Sequence, residues 1–372
     1  MKIGRLALAA SLCLLFLTSL VMPQSSQAQI NSGRRLEFAY AVDQGSNTVL
    51  GFRVGANGAL TPLVKPSFPT GNAPNGVAVD PSGRFVYVVN VLSNNVSGYA
   101  IADNGTLKPV PGSPFPAGSG PGWITIDPTG RFVYVANCAD LCSGSGQGSV
   151  SGYAINRSTG ALVPVPGSPF TADQIPYAVT VDATGTFAYV ANFRSSTVSI
   201  FKIDQCSGSL WASTQSVPTG GASPIALTLD PQGRFLYVSN TQSSNVSAFA
   251  VGSNGTLTAV PGSPFASGAF TQGVAVDSSG EFFYVTAGFQ VLGYSIGMNG
   301  ELIPLAGSPF VAPGFLVSLT LDRSGHLVYG AATSAGVAAF ALDATTGNLT
   351  AVTGSPFGAG ANTVFVTTTI AH

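Results

Sequence analysis

Charge is scarce in this chain. Only 8% of its 372 residues are Asp, Glu, Lys or Arg, with 14 basic side chains against 15 acidic ones. So thin a supply builds no strong surface field, which argues against nucleic acid or an anionic membrane surface as partner. Histidine is scarcer still: His326 and the final residue His372 are the 2 present. No Ser-His-Asp arrangement and no zinc cluster assembles from them, so no cofactor and no metal site is expected. Beyond residue 28 no stretch reaches the roughly 20 apolar residues of a membrane helix. A helical period is missing too. The apolar residues fall instead in short β-branched and aromatic runs separated by turn residues.

The first 28 residues have a logic of their own. Lys2 and Arg5 precede an apolar run from Leu6 to Val21, and Ser26-Gln27-Ala28 offers small residues for cleavage. That is the pattern of a secretory signal peptide, so residues 1–28 are expected to be removed and the remainder exported, periplasmic or secreted. Removing Lys2 and Arg5 leaves 12 basic against 15 acidic side chains, a net charge of −3. Of the 4 cysteines, Cys138, Cys142 and Cys206 remain. An odd number leaves at least one thiol unpaired within the chain. Cys138 and Cys142, close together in an exported protein, are the expected disulfide.

The chain has 46 Gly and 25 Pro, yet 45% of its residues are hydrophobic. That is ample for a core, with Gly and Pro punctuating many strands. The punctuation repeats. "DPSGRFVYVVN" begins at Asp80, "DPTGRFVYVAN" at Asp127, "DATGTFAYVAN" at Asp182 and "DPQGRFLYVSN" at Asp230. Looser copies start at Asp277 and Asp322. Two further phrases keep step, each seven times: a run such as "VSGYAI", and a Gly-x-Leu beginning at Gly58, Gly105, Gly160, Gly208, Gly255, Gly300 and Gly347. A period of 45 to 55 residues holding four strand candidates is that of a propeller blade. The first copy starts at its second strand (36–43), and "NTVFVTTTI" (362–370) follows the last copy where a first strand belongs. The expected fold is therefore all-β: a seven-bladed β-propeller over residues 34–372, four strands per blade, with a short lead at 29–33. The first blade is completed by the C-terminal strand, which removes the open sheet edges.

As a brick, Asp-Pro-x-Gly is a tight turn: Asp accepts amides, Pro presets φ and Gly tolerates positive φ. Residues two and four before the Asp are mostly small, as at Gly76 and Ala78, which suits strands converging on an axis; Trp123 is the exception. The Asn closing the phrase (Asn90, Asn137, Asn192, Asn240) is expected to be structural, opening a loop by its tolerance of left-handed φ.

These phrases resemble the lactonase-type seven-bladed propellers, among them the YVTN repeat proteins, and the resemblance covers essentially the whole chain after residue 28. It implies hydrolysis of a sugar lactone such as 6-phosphogluconolactone, a step of carbohydrate metabolism, with acid, Arg and His groups at the mouth. The family also includes exported repeat proteins in which the propeller is a binding or surface scaffold. Two functions therefore stand open: a lactone hydrolase, or a non-catalytic propeller holding a protein or glycan over its top face. A monomer is expected in either case.

Chemistry belongs where the repeat breaks. Turns after strands one and three lie on one face, the bottom; loops after strands two and four lie on the top. His326 then sits in a bottom turn. The top-face cations are Arg194 and Lys65. In blade 4, Asp173, Tyr177 and Arg194 all depart from the repeat. Asp173 and Arg194 are the catalytic candidates, with a surface ion pair worth roughly 0–1 kcal/mol as the alternative. Ligand contacts are expected from Asn75, Tyr177, Arg194 and Gln272. The remaining rim positions, Gly122, Ile225 and Val317, complete an uncharged ring that suits a neutral ligand better than a polyanion.

Overall fold

A computed structural model describes residues 36–139, 146–212, 216–358, 360 and 362–370. The leader expected at 1–28, the lead at 29–33, Cys142 and His372 lie outside them. Among the described residues there are 33 strands and no helix. The strands form seven antiparallel sheets. Six sheets follow the chain outward from an inner strand: Pro74–Val79 in blade 2, Pro121–Ile126, Pro176–Val181, Pro224–Leu229, Thr271–Val276 and Phe315–Leu321 in blade 7. The inner strand of blade 1 is Thr363–Ile370, which pairs antiparallel with Glu37–Asp43. Each inner strand contacts the next, and Phe315–Leu321 contacts Thr363–Ile370, so the ring is closed.

The "FVYV" run is the second strand of each blade. In Phe85–Asn90 and Phe132–Asn137 every residue is buried, because both faces of the sheet meet a neighbouring blade. Its tyrosine ties the ring together. Tyr40 Oη donates to Gly105 O at 2.7 Å, Tyr87 to Gly160 O at 2.7 Å, and so on in one direction to Tyr329, which donates to Gly58 O at 2.9 Å. Every acceptor is the glycine of the next blade's Gly-x-Leu turn. Seven such bonds, each worth roughly 1 kcal/mol net, join all seven blades. The glycine is required twice over: Gly105 has φ +82°, and a Cβ there would lie 2.5 Å from the Phe38 ring.

The Asp turn is a local device. Asp127 Oδ1 accepts the amides of Arg131 and Phe132, each at 2.6 Å, and Gly130 has φ +65°. The closing Asn works differently from the sequence expectation. Its backbone is strand, and the positive φ falls four residues later, at Asn94, Ser196 and Ser244. What fixes the Asn is its side chain: Asn137 Nδ2 donates to Ser149 Oγ at 3.1 Å and Ser151 Oγ at 2.9 Å, tying strand two to strand three. The outer strand also differs, being broken in two. Leu107–Pro109 and Phe115–Pro116 flank a turn in which Ser113 Oγ accepts the amide of Gly98 at 2.9 Å, an amide that the break leaves without a ladder partner.

Candidate functional site: the axial mouth

The small residues before each Asp let the inner strands close on the axis. A Cβ on Gly273 would lie 2.6 Å from Ser318 Cα of the next blade. At its top end each inner strand meets a register shift against strand two, for example between Pro176 and Ala178, between Pro224 and Ala226, and between Leu316 and Ser318. A β-bulge re-aims the extra residue. All seven blades have one, and the residues at the bulges, Asn75, Gly122, Tyr177, Ile225, Gln272, Val317 and Val364, line one cavity of about 300 Å³.

Gln44, Val91, Ala226 and the rings of Trp123 and Phe365 complete the lining. Trp123, one residue beyond the bulge of blade 3, meets Phe365 of blade 1 edge-to-face, with centroids 4.6 Å apart and planes at 85°. Trp123 also packs against the apolar clusters between blades 3 and 4, 4 and 5, and 5 and 6, so its indole occupies the axis. Its N–H has no partner among the described residues, and neither has the side-chain amide of Gln272. Asn75 Nδ2 donates to Gly122 O at 2.9 Å. Burial raises the Tyr177 hydroxyl above its ordinary range, opposed by a hydrogen bond with Asn75, so it is a neutral phenol at physiological pH. No Asp, Glu, His, Lys or Arg lines the cavity.

Asn75, Tyr177 and Gln272 thus line the same cavity. Asp173 and Arg194 are not with them. Asp173 lies on Phe170–Gln174, which pairs with the third strand of blade 3, two strands out from the axis. There it accepts the Thr197 hydroxyl at 3.1 Å and lines a separate cleft of about 200 Å³ with Gln147, Thr171 and Ser216. Arg194 is exposed in the hairpin joining strands two and three of blade 4. Arg234 with Asp230, at 2.9 Å, is the ion pair present among the described residues, so Asp173 and Arg194 form none. Lys65 is exposed on the outer strand Leu60–Pro69 of blade 1. His326 sits in a bottom turn, its amide donating to Asp322 Oδ1 at 3.0 Å. Cys138 is disulfide-bonded. Its expected partner Cys142 is outside the described residues, and Cys206 is free and exposed. Trp123 and Phe365 were not placed at the site by sequence, although Trp123 already stands out as the bulky residue in a row of small ones.

A closed ring of seven four-stranded blades around an axial cavity lined by Trp123 and Phe365 defines a seven-bladed β-propeller. The chain belongs to the lactonase family of 7-bladed β-propellers, whose model matches residues 29–225 and 211–276. Among the curated proteins no sequence matches it. Among solved structures it is similar to the periplasmic gluconolactonase PpgL of Pseudomonas aeruginosa, at 19% identity and TM-score 0.75, covering 91% of this chain and 99% of that one. It is also similar to a candidate 6-phosphogluconolactonase of Bacteroides fragilis NCTC 9343, at 18% identity, TM-score 0.75, and the same 91% and 99% coverage. A functionally unknown protein of Desulfotomaculum acetoxidans DSM 771 shares the fold at 15% identity and TM-score 0.71, covering 85% of this chain and 95% of that one. At these identities the likeness is one of fold.

Proposed function

We propose that this chain is an exported propeller that takes an uncharged sugar lactone into its axial mouth and opens the ring. Family membership supports the substrate class, and the first 28 residues support export. The observation that carries the choice of substrate is the lining without charge. A phosphorylated lactone brings a dianion, and burying it without a cation is strongly unfavourable. An unphosphorylated lactone brings hydroxyls, a carbonyl and an apolar ring face. Gln272, Asn75, Tyr177 and the Trp123 N–H suit the polar groups, and the rings of Trp123 and Phe365 suit the ring face.

Hydrolysis adds water at the carbonyl carbon, breaks the ring C–O bond and returns a proton to the ring oxygen. The neutral donors of Gln272 and Trp123 can stabilise charge on the carbonyl oxygen. None of the lining side chains is a base at neutral pH, since the Tyr177 phenol is held neutral. That same feature favours a second reading, a propeller that binds the lactone without turnover.

The 2 tryptophans make the test direct. Trp211 is 65% exposed, so W211F leaves Trp123 as a lone reporter. Glucono-δ-lactone in mildly acidic buffer, where spontaneous opening is slow, should quench Trp123 emission saturably, and 6-phosphogluconolactone should not. A pH-stat trace above the uncatalysed rate selects hydrolysis over binding alone. Unchanged emission with both compounds sinks the reading of the mouth.

A further inference from the structure

The repeat lapses most at blades 6 and 7, and three lapses coincide on the top face. The phrase-closing Asn becomes Ala287 and Ala332. The top hairpins, four residues long in blades 1, 2, 4 and 5, shrink to Gly288-Phe289 and Ser334-Ala335, which lowers the rim. Three phenylalanines gather in the gap. Phe315 lies 5.8 Å from Phe270 and 5.6 Å from Phe289, centroid to centroid.

This cluster is not core. Phe270 and Phe289 are each 63% exposed. Phe270 also holds φ +58°, at a position filled in blades 2, 4 and 5 by Ala73, Ile175 and Ser223. Ile175, 3% exposed, is compensated by burial; Phe270 is not. A left-handed, solvent-exposed aromatic costs about 1 kcal/mol in strain and contributes little to folding. The cluster instead leads into the mouth. Phe270 stands two residues before Gln272 and Phe315 two before Val317, and both of those line the cavity.

We propose that the ligand is a lactone carrying an apolar substituent: its ring enters the mouth and its hydrocarbon chain lies across Phe270, Phe289 and Phe315. This rests on the reading of the mouth as a lactone site and narrows the substrate class. A second sugar ring fits the shelf poorly, because phenylalanine offers its hydroxyls no partner. The neighbouring Val311, 77% exposed, adds only more hydrocarbon. A hydrocarbon chain leaves no polar group unpaired there and removes apolar surface from water on both sides.

The test uses the W211F protein, with Trp123 emission reporting ring binding. The probes are δ-valerolactone and its longer homologues δ-octalactone, δ-decalactone and δ-dodecalactone. Kd should tighten about three- to fourfold per added methylene while the chain is on the shelf. In F270A/F289A the ratio of Kd between δ-valerolactone and δ-dodecalactone should fall toward one. A ratio near one in the parent, or the same large ratio in both proteins, overturns the proposal while leaving the mouth as a lactone site. Tighter binding of cellobionolactone than gluconolactone, lost in F270A/F289A with no effect of alkyl length, overturns it in favour of a sugar. If no lactone moves Trp123 emission, the mouth reading falls and this proposal with it.

Discussion

Replacing Tyr329 by Phe removes one hydroxyl and nothing else from the fold. The bond it makes, to Gly58 O at 2.9 Å, joins blade 7 to blade 1. Gly58 is buried, so its carbonyl finds no water in exchange. An unsatisfied buried acceptor costs about 1–3 kcal/mol, and about 2 kcal/mol is the working figure. A ring of roughly 340 residues unfolds with an entropy of about 0.7 kcal/mol per kelvin, so Tm should fall by about 3 °C. Calorimetry on Y329F and on Y87F, whose bond to Gly160 O is 2.7 Å, should give similar shifts, because the two tyrosines are equally buried and equally placed. A shift below about 0.5 °C in both variants would refute the claim that these hydroxyls hold blade to blade.

Gly105→Ala meets both a left-handed φ and the Phe38 ring, and should destabilise by about 2–4 kcal/mol in urea melts; a neutral result removes the steric argument for the Gly-x-Leu turn. Asp127→Ala frees three amides, those of Thr129, Arg131 and Phe132, and the Thr129 hydroxyl; it should lower stability by about 1–3 kcal/mol, read by the same melts, with lactone binding intact because the turn is at the opposite end of the blade from the mouth. Burial raises the pKa of the inter-blade tyrosines, and pushes Tyr294 up to about 12. A raised folded-state pKa contributes stability that is complete below the unfolded value of about 10 and lost as pH rises above it. The ring should therefore melt at constant temperature through neutral pH and weaken above pH about 10, with tyrosinate absorbance appearing only as it unfolds. Trp123→Ala should abolish the lactone response, measured by calorimetry, and lower Tm because the edge-to-face packing on Phe365 goes with the indole; retained binding would move the site off the axis.

The architecture was legible because it is written many times. Seven in-register copies of Gly-x-Leu, with a missing first strand at one end and a surplus strand at the other, leave few alternatives to a closed ring. The mouth was legible for a related reason: counting back from each Asp lands on Asn75, Tyr177, Gln272 and their neighbours, because the strands share one register. What periodicity does not carry is radius. Asp173 and Arg194 break the repeat as conspicuously as Tyr177 does, but they sit on outer strands and hairpins, and distance from the axis depends on which strand a residue occupies. Nor does it carry cross-ring contact. Nothing in "NTVFVTTTI" says that Phe365 meets Trp123, which enters from another blade. The pairing of the repeated Tyr with the repeated Gly was likewise hidden, since the two belong to neighbouring copies and meet only when blades stack.

Glu37 and Ile370 stand directly opposite each other in the ladder of blade 1. In the other six blades that place, between the inner strand and strand two, is spanned by the Asp turn. By register with blade 2, Thr369 and Ile370 stand where the phrase has its Asp and Pro and Glu37 where it has its Arg, so a two-residue Ser-Gly bridge from Ile370 to Glu37 would fill the gap and make the backbone continuous around the axis. New chain ends could then be cut at any other bottom turn, for instance before Gly83 or Gly130. The blades would keep their neighbours, and the mouth, at the far end of every strand, would not register where the polypeptide starts.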